Sequence, residues 1–197
     1  MRIGVFGGSF DPIHNAHLVV ARLAREQLGL DRVLFTVAAS QPLKLGQHVA
    51  AADHRLHMVE LAVAGIADFA ADGRELRRPG PSYMIDTLRE LAAEHSGAEL
   101  VLIMGADVAR RFGLWREPDA VRRLARIAVC RRASPAASGD AHHAADVPAG
   151  FDAEISVPVL EISSSSIRAR AAAGWPVTGW VPQSVADYIV ASQVYVE

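Results

Sequence analysis

The chain has 197 residues, 51% of them apolar, which is enough for one substantial core and too few for two full domains. Its 20 basic and 22 acidic residues leave a net charge of −2, so the overall field points to neither nucleic acid nor an anionic membrane as a partner. Cys130 is the only cysteine, which excludes an intrachain disulfide and suits a reducing cytosol. The first residues are too few for a signal-peptide core and no apolar run reaches the length of a membrane span, so the expectation is a soluble cytoplasmic protein.

In chain order, an apolar run at 2–6 reads as a buried strand, followed by a helical pattern over 15–28 that Gly29 stops. A second strand is expected at 32–38, then helices over 53–64, stopped by Gly65, and over 82–95, ending before Gly97. Strands follow at 99–104, 126–130 and 153–157, with helices at 118–125, 164–173 and 183–191. The arginines clustered over 110–132 read as solvated helix faces, and 133–150 as a surface loop in which His142 and His143 lack the partners of a metal site. Strands rich in Val, Ile and Leu that alternate with helices predict α/β architecture. The expected fold is a Rossmann-like doubly wound parallel sheet with helices on both faces, its ligand crevice beyond the carboxyl ends of the strands. One domain spans 1–197 in this reading, with a small C-terminal helical part from about residue 163.

The stretch GVFGGSFDPIHNAH, residues 4–17, joins the first strand to the first helix. Gly4, Gly7 and Gly8 form neither the dinucleotide fingerprint nor a Walker A loop, but glycines at such a junction let a ligand approach bare backbone amides. Asn15 has the chemistry of an N-cap, and a helix N-terminus attracts phosphate. His14 and His17 are three apart, so a helix that includes both projects them from one side of its first turn, where imidazoles can donate to phosphate oxygens. The plainer alternative is that His14 caps a turn and His17 packs beneath it. A second H-x-x-H pair, His54 and His57, has no glycine turn before it and reads as partly exposed and structural. Near the other end, EISSSSIRAR offers serine hydroxyls and Arg168 at a helix start, which serves either as a second anion seat or as a serine-rich cap.

Together these motifs resemble the bacterial nicotinate-nucleotide adenylyltransferase family of the nucleotidyltransferase superfamily. GGSFDPIHNAH is similar to the family's G-G-T-F-D-P-I-H-x-G-H, with Ser9 for threonine and Ala16 for glycine, and ISSSSIR matches I-S-S-T-x-I-R with Ser165 in the threonine's place. RRPGPSYMIDTL resembles the acceptor-side segment, with Met84 for a threonine, IMGADVARRFGLW matches the G-x-D segment and its following tryptophan, and QPLK places Lys44 at the family's lysine.

The resemblance implies adenylyl transfer from ATP to nicotinate mononucleotide, giving nicotinate adenine dinucleotide and pyrophosphate for NAD synthesis. It implies that His14, His17, Lys44 and Arg168 hold the phosphates. Gly7, Gly8, Ser9 and Phe10 would line the ATP side, Gly105 and Asp107 the ribose, and Ser164, Ser165 and Ile167 the distal phosphates. Ser82, Tyr83 and Trp115 would face the acceptor, although Trp115 taken alone reads first as a core aromatic, and the plain alternative for Asp107 is a helix cap. Mg²⁺ would arrive bound through the ATP phosphates, with no protein side chain as ligand. The expected partners are the two small-molecule substrates, and a homo-oligomer stays open. Phosphopantetheine adenylyltransferase, or a regulator of the same fold that binds nucleotide without turnover, are the competing readings.

Overall fold

Parallel strands covered on both faces read as largely apolar runs, and five stretches of this chain have a centre rich in Val, Ile or Leu. In the computed structural model, which describes residues 1–40, 50–132 and 149–196, they become strands β1 (Arg2–Gly8), β2 (Arg32–Val37), β4 (Glu99–Gly105), β5 (Ala125–Arg132) and β6 (Ala153–Val157). A further strand, β3 (Phe69–Asp72), is four residues long and has no periodicity of its own to announce it. Helices α1 (Asn15–Leu28), α2 (Ala52–Val63), α3 (Met84–Glu94), α4 (Ala106–Ala109), α5 (Pro118–Leu124), α6 (Ser164–Ala172) and α7 (Gln183–Ala191) complete the described elements, with short 3₁₀ turns at Arg74–Arg77 and Phe112–Leu114.

The six strands form one sheet in the order β3-β2-β1-β4-β5-β6, the order of a doubly wound fold. β1 runs parallel to β4, with Val5 beside Leu102 and Phe6 beside Ile103, and β4 to β5 and β5 to β6 are parallel as well. The chain therefore changes direction of travel across the sheet between β1 and β4. Gly7 and Gly105 stand at the carboxyl ends of those two strands, where such sheets place their ligands.

The chain divides into two compact units. The first comprises Met1–Gly7, Val19–Val33 and Tyr83–Leu160. Its core is the apolar spine of the strands, with Ile3, Val5, Ile127, Val129 and Ile155 wholly buried. The second comprises Gly8–Leu18, Leu34–Ser82 and Glu161–Glu197. There Ile13, Phe35, Met58, Val59, Ile167 and Val185 have no exposed surface, and Phe35 carries Phe10 and Phe69 at ring distances of 5.8 and 5.4 Å. Among the described residues, no helix is long and apolar enough to cross a membrane.

Helix boundaries follow local chemistry. Gly29 and Gly65 adopt positive φ of 60° and 79°, which residues with a Cβ avoid, and they end α1 and α2 where their positions in the sequence imply. Asn15 departs from its expected role: it is the first residue of α1 rather than its cap. Its amide Nδ2 donates to Gly179 O at 2.7 Å and its N–H to Trp180 O at 2.9 Å, so the turn after α6 is tied to the start of α1.

Candidate active site

In the second unit, the predicted site residues converge on one turn, Ser9-Phe10-Asp11-Pro12. Phe10 takes a positive φ of 48°, and its buried ring lies over Gly8, where an added Cβ would come within 2.9 Å of it. Gly8 is thus required for the ring's position. The same ring meets His17 edge-on at 5.1 Å.

α1 starts directly after this turn. The carbonyl of His14 accepts from the N–H of His17 at 2.9 Å, while the His14 N–H donates to His17 Nδ1 at 3.2 Å. The second bond is one half of a capping box, with an imidazole nitrogen in place of the usual carboxylate; the first is a backbone turn bond. An Nδ1 that accepts carries no proton, so neutral His17 holds its proton on Nε2. The two rings stack at 3.7 Å with 18° between their planes. Burial pushes His14 down to about 4, and burial followed by the His14 charge holds His17 well below the ordinary imidazole value. Both are therefore neutral donors at pH 7. His14 is 6% exposed, and its Nδ1 has no hydrogen-bond partner among the described residues, an orphan that a buried polar atom rarely remains unless something else satisfies it.

α6 meets the same turn from the other side. Ser163 caps it, accepting from Ser166 N at 3.2 Å while the Ser166 hydroxyl accepts from Ser163 N at 3.3 Å, so the run is a serine cap in its first residue. Ser164 donates to Pro12 O at 2.9 Å and Arg168 Nη1 to Asp11 O at 2.7 Å, which places both alongside the turn. Ser165 Oγ lies 3.1 Å from Ser163 Oγ. Ile167 is wholly buried and its N–H is taken by Ser163 O, so it braces the helix from the core side. Ser82 accepts from Ala39 N at 3.0 Å and Ser40 N at 3.4 Å, bracing the residues that follow β2. Lys44 lies outside the described residues, as do His142 and His143.

The control pair is separate. His54 Nδ1 is 2.7 Å from the Tyr188 hydroxyl, and exposed His57 faces Glu60 at 3.3 Å. Context rather than spacing distinguishes the two H-x-x-H sequences.

The first unit holds the remaining predicted residues. A Cβ on Gly7 would come 2.6 Å from the terminal methyl of Met84, so bare backbone at the end of β1 and the Met84 side chain share one space. Gly105 precedes α4, and a Cβ there would come 2.7 Å from Asp107 Oδ1. Asp107 makes no cap bond; Gly105 is the N-cap. Its charge, after burial, helps push the Cys130 thiol up to about 12, which leaves that cysteine inert. Tyr83 precedes α3 and carries the Arg116 guanidinium 4.8 Å above its ring. Trp115 is half-buried, its ring 5.4 Å from that of buried Phe112. It is Phe112, not Trp115, that fills the core.

Sequence reasoning missed three residues around the turn. Arg55, on α2, is fully buried and donates to four carbonyls, and Tyr195, beyond α7, donates to Asp11 Oδ1 at 2.7 Å. Asp11 itself, quoted only as part of a motif, also accepts from Ala50 N at 3.2 Å. Local pattern could not have shown Arg55 or Tyr195, because their partners lie far along the chain.

A cytidylyltransferase-like family model matches residues 5–170. A Thermomicrobium roseum protein named "probable nicotinate-nucleotide adenylyltransferase" is 42% identical over 98% of this chain and 91% of its own length. A Thermus thermophilus protein of the same name is 44% identical over 99% of this chain and 100% of that protein. Among solved structures, a Plasmodium falciparum nicotinic acid mononucleotide adenylyltransferase complexed with NaAD superposes with a TM-score of 0.73 at 17% identity, covering 98% of this chain and 97% of its own. By the extent of the family match and the end-to-end identity to these relatives, this chain belongs to the nicotinate-nucleotide adenylyltransferase family of cytidylyltransferase-like proteins.

Proposed function

We propose that the chain transfers the adenylyl group of ATP to nicotinate mononucleotide, releasing pyrophosphate and supplying nicotinate adenine dinucleotide for NAD synthesis. The observation that carries this reading is the stacked neutral pair His14–His17 at the start of α1, with Ser164 and Arg168 bonded to the turn that precedes it. A phosphate acceptor is already anionic, so no base is needed to create the nucleophile. One acceptor oxygen forms a bond to the α-phosphorus while the bond from that phosphorus to the bridging oxygen breaks, and the electron pair leaves with pyrophosphate. What the protein must supply is alignment and stabilisation of spreading negative charge.

His17 donates from Nε2 to an α-phosphate oxygen, and the orphaned buried His14 nitrogen is satisfied once an anion occupies the turn. Arg168, Ser164 and Ser165 bind the distal phosphates, joined by Lys44. Gly7, Gly8, Ser9 and Phe10 line the nucleotide, with Gly105 and Asp107 at its ribose. Ser82, Tyr83 and Trp115 hold the acceptor. A Mg²⁺ ion would arrive carried by the ATP phosphates. When bound, that ion neutralises charge on the leaving pyrophosphate. We place the enzyme in the cytoplasm, on the strength of its single cysteine.

A coupled assay tests the reading. Protein with Mg²⁺ and ATP is expected to release pyrophosphate only when nicotinate mononucleotide is added. Release with phosphopantetheine and none with nicotinate mononucleotide would overturn it.

A further inference from the structure

We infer that Tyr195 and Arg55 are positioning residues for this reaction, holding the Ser9–Pro12 turn in the shape that sets the His14–His17 pair. The inference rests on the adenylyl-transfer reading above.

The turn has little regular structure of its own to hold it, and side chains from distant parts of the sequence take its polar groups one after another. Arg55 Nη1 donates to Ser9 O at 2.6 Å, Arg168 to Asp11 O at 2.7 Å and Ser164 to Pro12 O at 2.9 Å. The Asp11 carboxylate is held separately: its Oδ1 accepts from the Tyr195 hydroxyl at 2.7 Å and from Ala50 N at 3.2 Å. Phe10 keeps its positive φ between these fixed points, and the Phe10 ring touches His17. A non-glycine residue persists in that region only when its surroundings over-determine it.

Arg55 is 1% exposed, and carbonyl oxygens rather than a carboxylate are its hydrogen-bond acceptors. Besides Ser9 it reaches Ala38 O at 2.7 Å, Ala39 O at 3.1 Å and Ala50 O at 3.2 Å. Burying a guanidinium is costly, and an apolar residue would fill the volume with less loss. What an apolar residue could not do is lock three separate chain segments to one planar group. A lysine ammonium, a single point with three donors, could not span them either.

Tyr195 is buried and takes a positive φ of 73°, a backbone conformation unusual for tyrosine. Burial and the neighbouring Asp11 push its hydroxyl far above the ordinary phenol value, so it is a proton donor at every working pH. The C-terminal segment thus reaches back across 184 residues to one carboxylate oxygen beside the phosphate turn.

The test uses the full chain, with Tyr195→Phe and Arg55→Lys compared against Tyr188→Phe. Tyr188 is a matched control, since its hydroxyl makes a contact of the same 2.7 Å length, to His54, away from the turn. Tyr195→Phe is expected to lower kcat about tenfold with both KM values changing less than about twofold, because misplacement of aligned groups acts on the chemical step. Tyr188→Phe is expected to keep wild-type kcat. If Arg55→Lys does not fold, Tyr195→Phe decides alone. A Tyr195→Phe enzyme that melts lower but turns over like the control would show a purely structural hydroxyl and overturn the inference. Wild-type protein that makes no dinucleotide in the same assay would instead overturn the adenylyl-transfer reading on which the inference stands.

Discussion

The backbone N–H of His14 donates to Nδ1 of His17 while the two imidazoles stack at 3.7 Å, so one short helical turn fixes both the tautomer and the separation of the pair. Two rings this close cannot both be protonated cheaply, and burial favours the neutral form of each. An apo site of neutral donors has a consequence for stability.

Between about pH 4 and 6.5, an unfolded chain binds a proton on His14 that the folded chain refuses. Stability from this group is therefore complete above 6.5 and is lost as pH falls from there toward 4. The difference amounts to about 2 kcal/mol at pH 5, and His17 acts in the same direction. Urea titrations of wild type and His14→Gln at pH 7 and 5 measure it. The wild type is expected to lose more stability than the variant on acidification; equal losses would mean that His14 is not held neutral by the fold.

The different surroundings of the two H-x-x-H pairs give a kinetic prediction. Removing His17 as alanine should lower kcat by about a hundredfold or more, the scale of losing one preorganised donor to a transition state. His57→Ala should stay near wild type, since among the described residues that exposed ring meets Glu60 and the edge of Tyr188. Comparable losses in both variants, measured by pyrophosphate release, would refute the assignment of His17.

How far these features were legible in the sequence depended on the range of the interaction that creates each one. The strand–glycine–helix junction at β1–α1 is local, and α1 begins and ends at the residues that its pattern implies. β3, with the sequence FAAD, is a strand because of its neighbours, and four residues of mixed burial show no period. Arg55 inside an apolar helix looks like a solvated position; only the carbonyls of Ser9, Ala38 and Ala39 make it a buried one. The residue type of Asn15 suits an N-cap, but in the fold its amide is a donor to Gly179. Tyr195 sits in the C-terminal tail, where nothing nearby hints at Asp11.

Gly8 and Gly113 offer a test of the packing around the Ser9–Pro12 turn. A Cβ on Gly8 would press on the buried Phe10 ring at 2.9 Å, and the ring can yield only by moving against Phe35 or His17. Gly8→Ala is expected to cost about 1–3 kcal/mol, as overpacking does, and to reduce kcat as well. Among the described residues nothing lies within 4 Å of a Cβ on Gly113, and its φ lies outside the left-handed region, so Gly113→Ala should fall within about 0.5 kcal/mol of wild type. Thermal melts and turnover of the pair check this, and a Gly8→Ala protein indistinguishable from Gly113→Ala would contradict the packing described.

Trp115 distinguishes a binding surface from a core residue. Its ring is half-buried, 5.4 Å from that of Phe112, and the residue after it, Arg116, lies over Tyr83, which precedes α3. The pyridinium ring of nicotinate mononucleotide carries a formal positive charge, and stacking with cation–π attraction on an indole is together worth about 2 kcal/mol. That energy is present in the ground state and the transition state alike. Trp115→Ala is therefore expected to raise the acceptor KM about thirtyfold with kcat and the ATP KM nearly unchanged. Trp115→Phe should recover much of the loss, because a flat π-face is kept. Truncating a core tryptophan would behave differently, removing about 3–5 kcal/mol of folding stability and depressing activity toward both substrates through lost folded protein. Melting temperature and the two KM values, taken on one alanine variant, separate these cases: a large fall in melting temperature with an unchanged acceptor KM would take Trp115 out of the site.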